Sequence, residues 1–197
     1  MVFTSTFLSL FFGFFLAVLL IMSHPQGLKP QPKIYRALDV IVNLGRSFPF
    51  IILLIAIQPF TRLIVGKTID SEAAIVPLTV AAIPFAARVL EGSFLEVDRG
   101  VVEAARSFGA GTMQIIFRVM LPEALPALIL NAAVIAITLL GYAAMAGVVG
   151  GGGLGDLAIK YGYNRFKPEV MLYSIVILVI MVQCIQSLGN VLYKKLR

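Results

Sequence analysis

The sequence predicts an all-α polytopic membrane protein with five transmembrane helices. Composition gives two reasons: 59% of the 197 residues are hydrophobic and only 13% are charged, with a mean hydropathy of +0.97. A soluble domain averages roughly 25% charged residues, so this chain has too little polar surface for water. A third reason is that long stretches without any ionisable residue recur along the chain. We therefore treat residues 1–197 as a single transmembrane domain.

The first span is predicted at residues 3–22, where 20 consecutive positions carry no ionisable side chain. A helix of this length crosses a hydrocarbon core of about 30 Å. A secretory signal peptide is the alternative. However, no basic segment precedes the apolar run, and Ser23-His24-Pro25 lacks the small residues of a cleavage site. We expect a retained transmembrane helix.

The other spans are bounded by charged residues. The uncharged run 47–61 covers 15 residues and becomes a full span, residues 39–60, when it is extended back to Asp39. Near the end of the third span, Arg88 and Glu91 are three residues apart and are expected to form a local ion pair. The remaining three spans follow the same pattern and are predicted at residues 72–91, 124–148 and 170–193.

The distribution of Lys and Arg predicts the orientation. Five spans place the termini on opposite sides of the membrane, and short loops rich in Lys and Arg stay in the cytoplasm. One side would hold eleven of the 16 Lys and Arg. The other would hold five, namely Arg62, Lys67, Lys160, Arg165 and Lys167. We therefore predict a cytoplasmic C-terminus, an outside N-terminus and a cytoplasmic loop at residues 92–121.

Catalytic and metal chemistry find little support in the sequence. The chain has one cysteine, Cys184, and one histidine, His24, and no group of residues has metal-ligand spacing. Gly66-Lys67-Thr68 resembles the end of a phosphate-binding loop, but that motif needs a glycine where Thr61 stands. There is no nucleophile–base pair either. We expect a chain that is not an enzyme and binds no cofactor or metal.

The loop at 92–121 carries a more specific pattern. Helix-forming residues occupy 99–107, where Arg99 and Glu103 are four residues apart and can pair on one face. Gly109 can end this helix with a positive φ. A second helical stretch with apolar residues at helical spacing follows, and Pro122 is expected to stop it. From these residues alone, an amphipathic loop on the membrane surface and a docking element for a partner remain equal alternatives.

The spacing in this loop is E-A-A-x3-G-x9-hydrophobic-x-L-P. It resembles the signature loop of the permease subunits of bacterial ABC importers, with Val119 where isoleucine is usual. In that family the loop forms a coupling helix that sits in a cleft of a separate ATPase subunit. The resemblance implies an ATPase-coupling role for Glu103, Ala104, Ala105, Gly109, Val119, Leu121 and Pro122.

Further segments resemble the methionine-import subfamily of these permeases, at 46–54, 74–79, 121–126, 141–145, 151–155 and 161–163. The resemblance implies the permease subunit of an ATP-driven methionine importer in the bacterial inner membrane. It also implies a second copy of this chain, two ATPase subunits that use ATP and Mg²⁺, and an external methionine-binding protein. A permease for another amino acid or small nutrient is the alternative. A small membrane enzyme or an ATP-independent channel would leave the 103–122 spacing unexplained.

Polar and polarizable residues on the fourth span suggest a substrate pathway. Such a stripe within a span tends to face protein or a cavity rather than lipid. Tyr142 and Met145 would offer a polarizable surface to a thioether. Alternatively, Asn131 and Thr138 join helices and Met145 fills the core. The predicted pathway residues are Ser47, Asn131, Thr138, Tyr142 and Met145.

Overall fold

The computed structural model describes residues 1–196, and within that range the chain is almost entirely helical and contains no β-strand. In chain order the helices are α1 (Val2–Ser23), α2 (Pro32–Ser47), α3 (Phe50–Ala56), α4 (Gln58–Val65), α5 (Ile75–Leu95), α6 (Arg99–Ser107), α7 (Thr112–Ile115), α8 (Leu121–Val148), α9 (Gly153–Leu157) and α10 (Pro168–Leu196). Short π-helical segments occupy Ile116–Met120 and Ala158–Tyr163. The stretches containing α1, α5, α8 and α10 are long and apolar enough to span a membrane, and the bent pair α2–α3 makes a fifth candidate span.

Helix α1 packs along α5 through small side chains. A Cβ on Gly13 would lie only 2.7 Å from the Cβ of Ala86, so the two helices approach closely there. The hydroxyl of Ser9 donates to the carbonyl of Thr79 on α5 at 3.4 Å. Small residues let membrane helices approach each other closely. In the first part of α1 the buried residues are all small and recur every four positions, at Ser5, Ser9, Gly13 and Ala17.

The second predicted span, residues 39–60, is not one continuous helix. Helix α2 ends at Ser47, and α3 leaves it at a bend of 97°. Phe48 is extended, with φ −75° and ψ 124°, because a residue before proline is disfavoured in the helical region. A further interruption at Ile57 separates α3 from α4. The segment predicted as the second span is therefore broken at Phe48 and Pro49, and the bent pair α2–α3 remains a candidate span.

An ionic cluster holds α2 against α5. Arg88 donates to Glu91 at 2.8 Å, which confirms the predicted local pair, and it also forms a salt bridge with Asp39 on α2. Asn43 accepts a further hydrogen bond from Arg88 at 3.3 Å. The side chain of Glu91 is only 1% exposed, so Arg88 neutralises a buried charge. The cluster therefore fixes α2 on α5 one turn from the end of the bundle that carries α6.

The chain enters α8 without a break. Pro122 was expected to stop the second helical stretch of the loop, but it lies at the start of α8. The preceding π-helical turn, Ile116–Met120, explains the difference. Proline has no amide hydrogen and its ring clashes with the carbonyl four residues earlier, and the wider π turn leaves room at that point.

The opposite end of the bundle is closed by α9. The turn before α9 contains Gly150 and Gly152 at positive φ. Helix α9 then folds back on α8, where a side chain on Gly155 would overlap the backbone of Ala144. Helix α10 packs on α8, and a Cβ on Gly189 would lie 2.7 Å from that of Ala133. We refer to the two ends of the bundle as the α6 end and the α9 end.

The start of α1 and the last turns of α10 lie at opposite ends of the bundle. Met1 lies beside Gly153 at the α9 end. Tyr193, near the end of α10, lines one surface depression together with Val97 and Glu123 at the α6 end. The described part of the chain therefore runs from one end of the bundle to the other an odd number of times.

Candidate functional site

Helix α6 is a short, exposed helix with two different faces. Its N-terminus is capped by Asp98, whose carboxylate accepts a hydrogen bond from the amide of Gly100 at 2.6 Å. Val102 and Ala105 pack against the apolar core of the bundle. On the other side, Ala104 is exposed and the phenyl ring of Phe108 is 91% exposed. Helix α6 and its C-terminal cap therefore expose apolar side chains next to polar ones such as Glu103, while the inner face holds the helix on the bundle.

Gly109 ends this helical segment. Its φ of +79° lies in the left-handed region, which confirms the sequence prediction. The predicted pair between Arg99 and Glu103 is not formed, because the Arg99 guanidinium donates to the side-chain oxygen of Gln26 in the loop between α1 and α2. Glu103 is exposed and lies at the edge of the same cavity as Arg99 and Arg106 without pairing with Arg99.

The predicted coupling residues fall into two groups. The first group is exposed at the α6 surface or at the start of α8 and comprises Glu103, Ala104, Gly109 and Pro122. The second group is half-buried and comprises Ala105, Val119 and Leu121. Some of the predicted coupling residues are therefore available to a partner at the surface. The others help to pack residues 99–122 against the bundle.

Two further residues of the α6 surface were missed from the sequence. Phe108 and Val101 are exposed apolar side chains on the outer side of α6. Large apolar side chains that lie next to each other on an exposed face are a signal of a contact with a partner. The sequence contained one indication of this surface: Phe108 is a large apolar residue directly before Gly109, which ends the helical segment.

A second notable region is the break between α2 and α3. Immediately after it, the ring of Phe50 stacks on the ring of Tyr142 from α8, with centroids 4.7 Å apart and an interplanar angle of 1°. Irregular backbone at membrane depth is tolerated only where it is buried in protein or lines a water-filled cavity. The structure therefore brings the predicted residue Tyr142 to the break, where it meets Phe50, a residue that was not predicted to lie at the pathway.

The other predicted pathway residues lie at different places. Met145 is 48% exposed and lies one turn beyond Tyr142 on α8. The hydroxyls of Ser47 and Thr138 each donate to a backbone carbonyl four residues earlier on their own helix, at 2.8 and 2.9 Å. Asn131 donates to the hydroxyl of Ser93 at 2.7 Å and so joins α8 to α5. This contact agrees with the alternative interpretation of Asn131, in which its side chain joins two helices.

The loop that follows α4 carries charged side chains at the α9 end. Lys67 contacts the carboxylate of Asp70 at 3.3 Å. The backbone amide of Ser71 and the Lys67 ammonium both donate to Asp70 and lower the pKa of its carboxyl. Across residues 1–196, no group of three His, Cys, Asp or Glu side chains is placed to hold a metal ion.

Comparison with known proteins identifies the family. Residues 9–197 match the model of the family described as "binding-protein-dependent transport system inner membrane component". The chain belongs to this family. It is therefore a multi-pass inner-membrane protein and a transport component, in agreement with its apolar helices.

Several relatives are similar over most of their length. A probable D-methionine transport system permease protein of Vibrio cholerae is 50% identical over 183 residues, which covers 93% of this chain and 81% of the relative. The D-methionine transport system permease protein of Escherichia coli K12 is 51% identical over 146 residues, or 72% and 67% of the two chains.

Solved structures share the fold. A chain of the MetNI methionine ABC transporter in inward-facing conformations has a TM-score of 0.94 and 47% identity, covering 100% of this chain and 94% of that one. A chain of an amino acid ABC transporter solved with histidines has a TM-score of 0.79 at 19% identity, which shows the fold alone. The predicted all-α polytopic fold is confirmed.

Proposed function

We propose that this chain is the membrane-spanning permease subunit of an ATP-driven methionine importer. The observation that carries the proposal is the close similarity, over most of both chains, to proteins named D-methionine permeases and to a chain of a methionine ABC transporter. Helix α6 supports the ATP-driven part, because a short exposed helix with large apolar side chains beside it, Val101 and Phe108, is suited to contact a partner protein.

The proposed assembly contains three kinds of contact made by this chain. Two copies of this chain pair in the membrane, two ATPase subunits dock at the α6 surface, and a methionine-binding protein delivers substrate at the α9 end. The α6 end is then cytoplasmic and the N-terminus lies outside. The larger share of Lys and Arg at the α6 end and the opposite placement of the termini support this orientation.

Transport in this proposal needs no covalent chemistry from the chain. The ATPase subunits bind ATP and Mg²⁺, and their movement displaces α6. The Phe50–Tyr142 stack and Met145 border the pathway near the break between α2 and α3, where a ring face and a thioether suit the side chain of methionine. Asn131 and Thr138 lie further along the predicted pathway on α8, and Ser47 lies at the break.

The substrate is tested by measuring ATP hydrolysis. The chain is reconstituted with its ATPase and binding protein, and hydrolysis is followed with methionine, histidine or no amino acid. We expect methionine-loaded binding protein to stimulate hydrolysis several-fold. Stimulation by histidine and not by methionine would keep the transporter but reject methionine as its substrate.

The docking role is tested with two glycines that differ in conformation. Gly109→Ala places a side chain at φ +79°, which costs about 1 kcal/mol or more, whereas Gly111 has φ −70° and accepts alanine. We expect Gly109→Ala and Phe108→Ser to reduce copurification of the ATPase and Gly111→Ala to leave it unchanged. Normal copurification with both of the first two variants would refute docking at the α6 surface.

A further inference from the structure

We propose that Arg106 is a positioning residue that ties α6 to the loop between α1 and α2, so that movement of α6 is passed to α2. We call this loop, residues 24–31, the α1–α2 turn. The inference rests on the proposed function, since α6 moves only if an ATPase acts on it. It concerns the inner face of α6, which is distinct from the outer surface proposed for docking.

Two arginines on α6 bind the α1–α2 turn. Arg106 donates to the carbonyl oxygen of Leu28 at 2.6 Å and lies 3.5 Å from that of Gly27. Arg99 donates to Gln26. These arginines are seven residues apart and therefore lie on one face of the helix, with Val102 between them. A hydrogen bond from a charged donor is stronger than a neutral one, and both arginines use neutral oxygens of the same turn.

Apolar packing beneath α6 is incomplete. A cavity of about 160 Å³ lies between α6, the α1–α2 turn and the end of α5. Its apolar lining includes Ile21, Phe94 and Met120. Its charged lining consists of Arg99, Glu103 and Arg106. Because side-chain packing does not fill this space, the arginine hydrogen bonds bridge it and link α6 directly to the turn.

The turn itself is well suited to transmit a displacement. The amides of Lys29 and Gln31 donate to the carbonyls of Met22 and Ser23, each at 3.1 Å. The side chain of Leu28 is buried in the same apolar cluster as Phe94. These bonds fold the turn back on the end of α1, so it moves as a unit instead of stretching.

Helix α2 begins directly after the turn and leads to the pathway. The ring of His24 contacts the ring of Tyr35 on α2, with centroids 4.9 Å apart. At its far end α2 reaches the break, beyond which Phe50 stacks on Tyr142. A displacement that enters at Arg106 therefore has a contiguous route, through the turn and α2, to the aromatic stack.

The inference is tested in the permease–ATPase complex with three variants. Arg106→Met removes the donor, Arg106→Lys keeps a charged donor, and Lys29→Met removes a positive charge from the same turn without touching the bonds of Arg106. We measure methionine taken up per ATP hydrolysed, copurification of the ATPase, and hydrogen–deuterium exchange of the turn amides.

We expect Arg106→Met to keep the ATPase bound and to lower methionine uptake per ATP by roughly five-fold, the lower range of typical coupling between sites. Exchange in the α1–α2 turn should rise in this variant, and trapping with ATP should no longer alter it. Arg106→Lys should retain most of the uptake ratio, and Lys29→Met should match the wild type in all three measurements.

Three results would overturn the inference. The first is an unchanged uptake ratio with unchanged exchange in Arg106→Met. The second is loss of the ATPase from this variant while turn exchange is unchanged, which would make Arg106 a docking residue. The third is an equal loss in Arg106→Lys. If the wild-type complex takes up no methionine, the proposed function fails, and the exchange measurement alone still decides whether Arg106 holds the turn.

Discussion

The two ends of the bundle are stabilised by different kinds of interaction. At the α6 end, parts of the chain that are distant in sequence are joined by arginine: Arg88 to Asp39, and Arg106 to Leu28. At the α9 end, α9 lies directly on α8 through glycines, and two rings stack face to face. Long charged side chains can keep a bond across a gap while the parts shift, whereas touching backbones cannot slide without a clash. We infer that the arginine contacts at the α6 end tolerate small shifts between neighbouring segments, whereas the glycine contacts keep α9 in one register on α8.

The largest effect is expected from removing the charge that neutralises Glu91. Arg88→Met leaves a carboxylate that is 1% exposed without its cation, at a cost of about 3–5 kcal/mol in stability. Thermal unfolding of the purified complex should show a strongly lowered Tm. The double variant Arg88→Met/Glu91→Met should recover most of this loss. If the double variant is no more stable than the single one, the arginine matters for its contact with Asp39 rather than for Glu91.

A smaller effect is expected from close packing at the α9 end. Gly147→Ala would place a Cβ on the backbone of Asp156, and such overpacking costs about 1–3 kcal/mol. Gly141 is the matched control on the same helix, because a Cβ there meets nothing within 4 Å. Gly141→Ala should leave Tm unchanged or raise it slightly. Equal unfolding temperatures for the two variants would show that α9 does not depend on this contact.

The aromatic stack should contribute about 1 kcal/mol beyond the area that the rings bury. Phe50→Ala and Tyr142→Ala are therefore expected to lower Tm by similar amounts, and the double variant by less than their sum. Tyr142→Phe keeps the ring and should retain both stability and transport. If the decrease in Tm of the double variant equals the sum of the two single decreases, the stacking of the rings contributes no stability of its own.

The smallest expected effect separates two interpretations of Asn131. If its role is the hydrogen bond to Ser93, then Asn131→Leu and Ser93→Ala should each cost about 1 kcal/mol and leave the transported solute unchanged. If Asn131 borders the pathway instead, only Asn131→Leu should change the apparent affinity in uptake measurements. Comparing uptake by the two variants decides between these roles.

Local sequence signals predicted much of the fold. Uncharged runs marked α1, α8 and α10, and the residues at 99–107 predicted the short helix α6 with Gly109 behind it. Prolines were ambiguous: Pro84 and Pro126 lie inside continuous helices, whereas Pro49 accompanies a bend of 97°. The local rule for proline is the same in all three cases, so the tertiary surroundings decide whether the helix continues.

Long-range contacts could not be predicted from one sequence. The bond from Arg106 to Leu28 joins residues 78 positions apart, and Phe50 meets Tyr142 only because the chain turns at the break. Composition shows that an arginine is present but not which carbonyl it reaches. The sequence predicted a pair between Arg99 and Glu103 because Glu103 is the nearest opposite charge along the helix. The actual partner, Gln26, is distant in the sequence.

The most direct test of the account is ATP-driven uptake of labelled methionine into proteoliposomes that contain this chain, its ATPase and its binding protein. We predict uptake that requires both ATP and the binding protein, that unlabelled methionine abolishes by competition, and that histidine leaves unchanged. Methionine uptake without ATP, or ATP-driven uptake of another solute with which methionine does not compete, would contradict it.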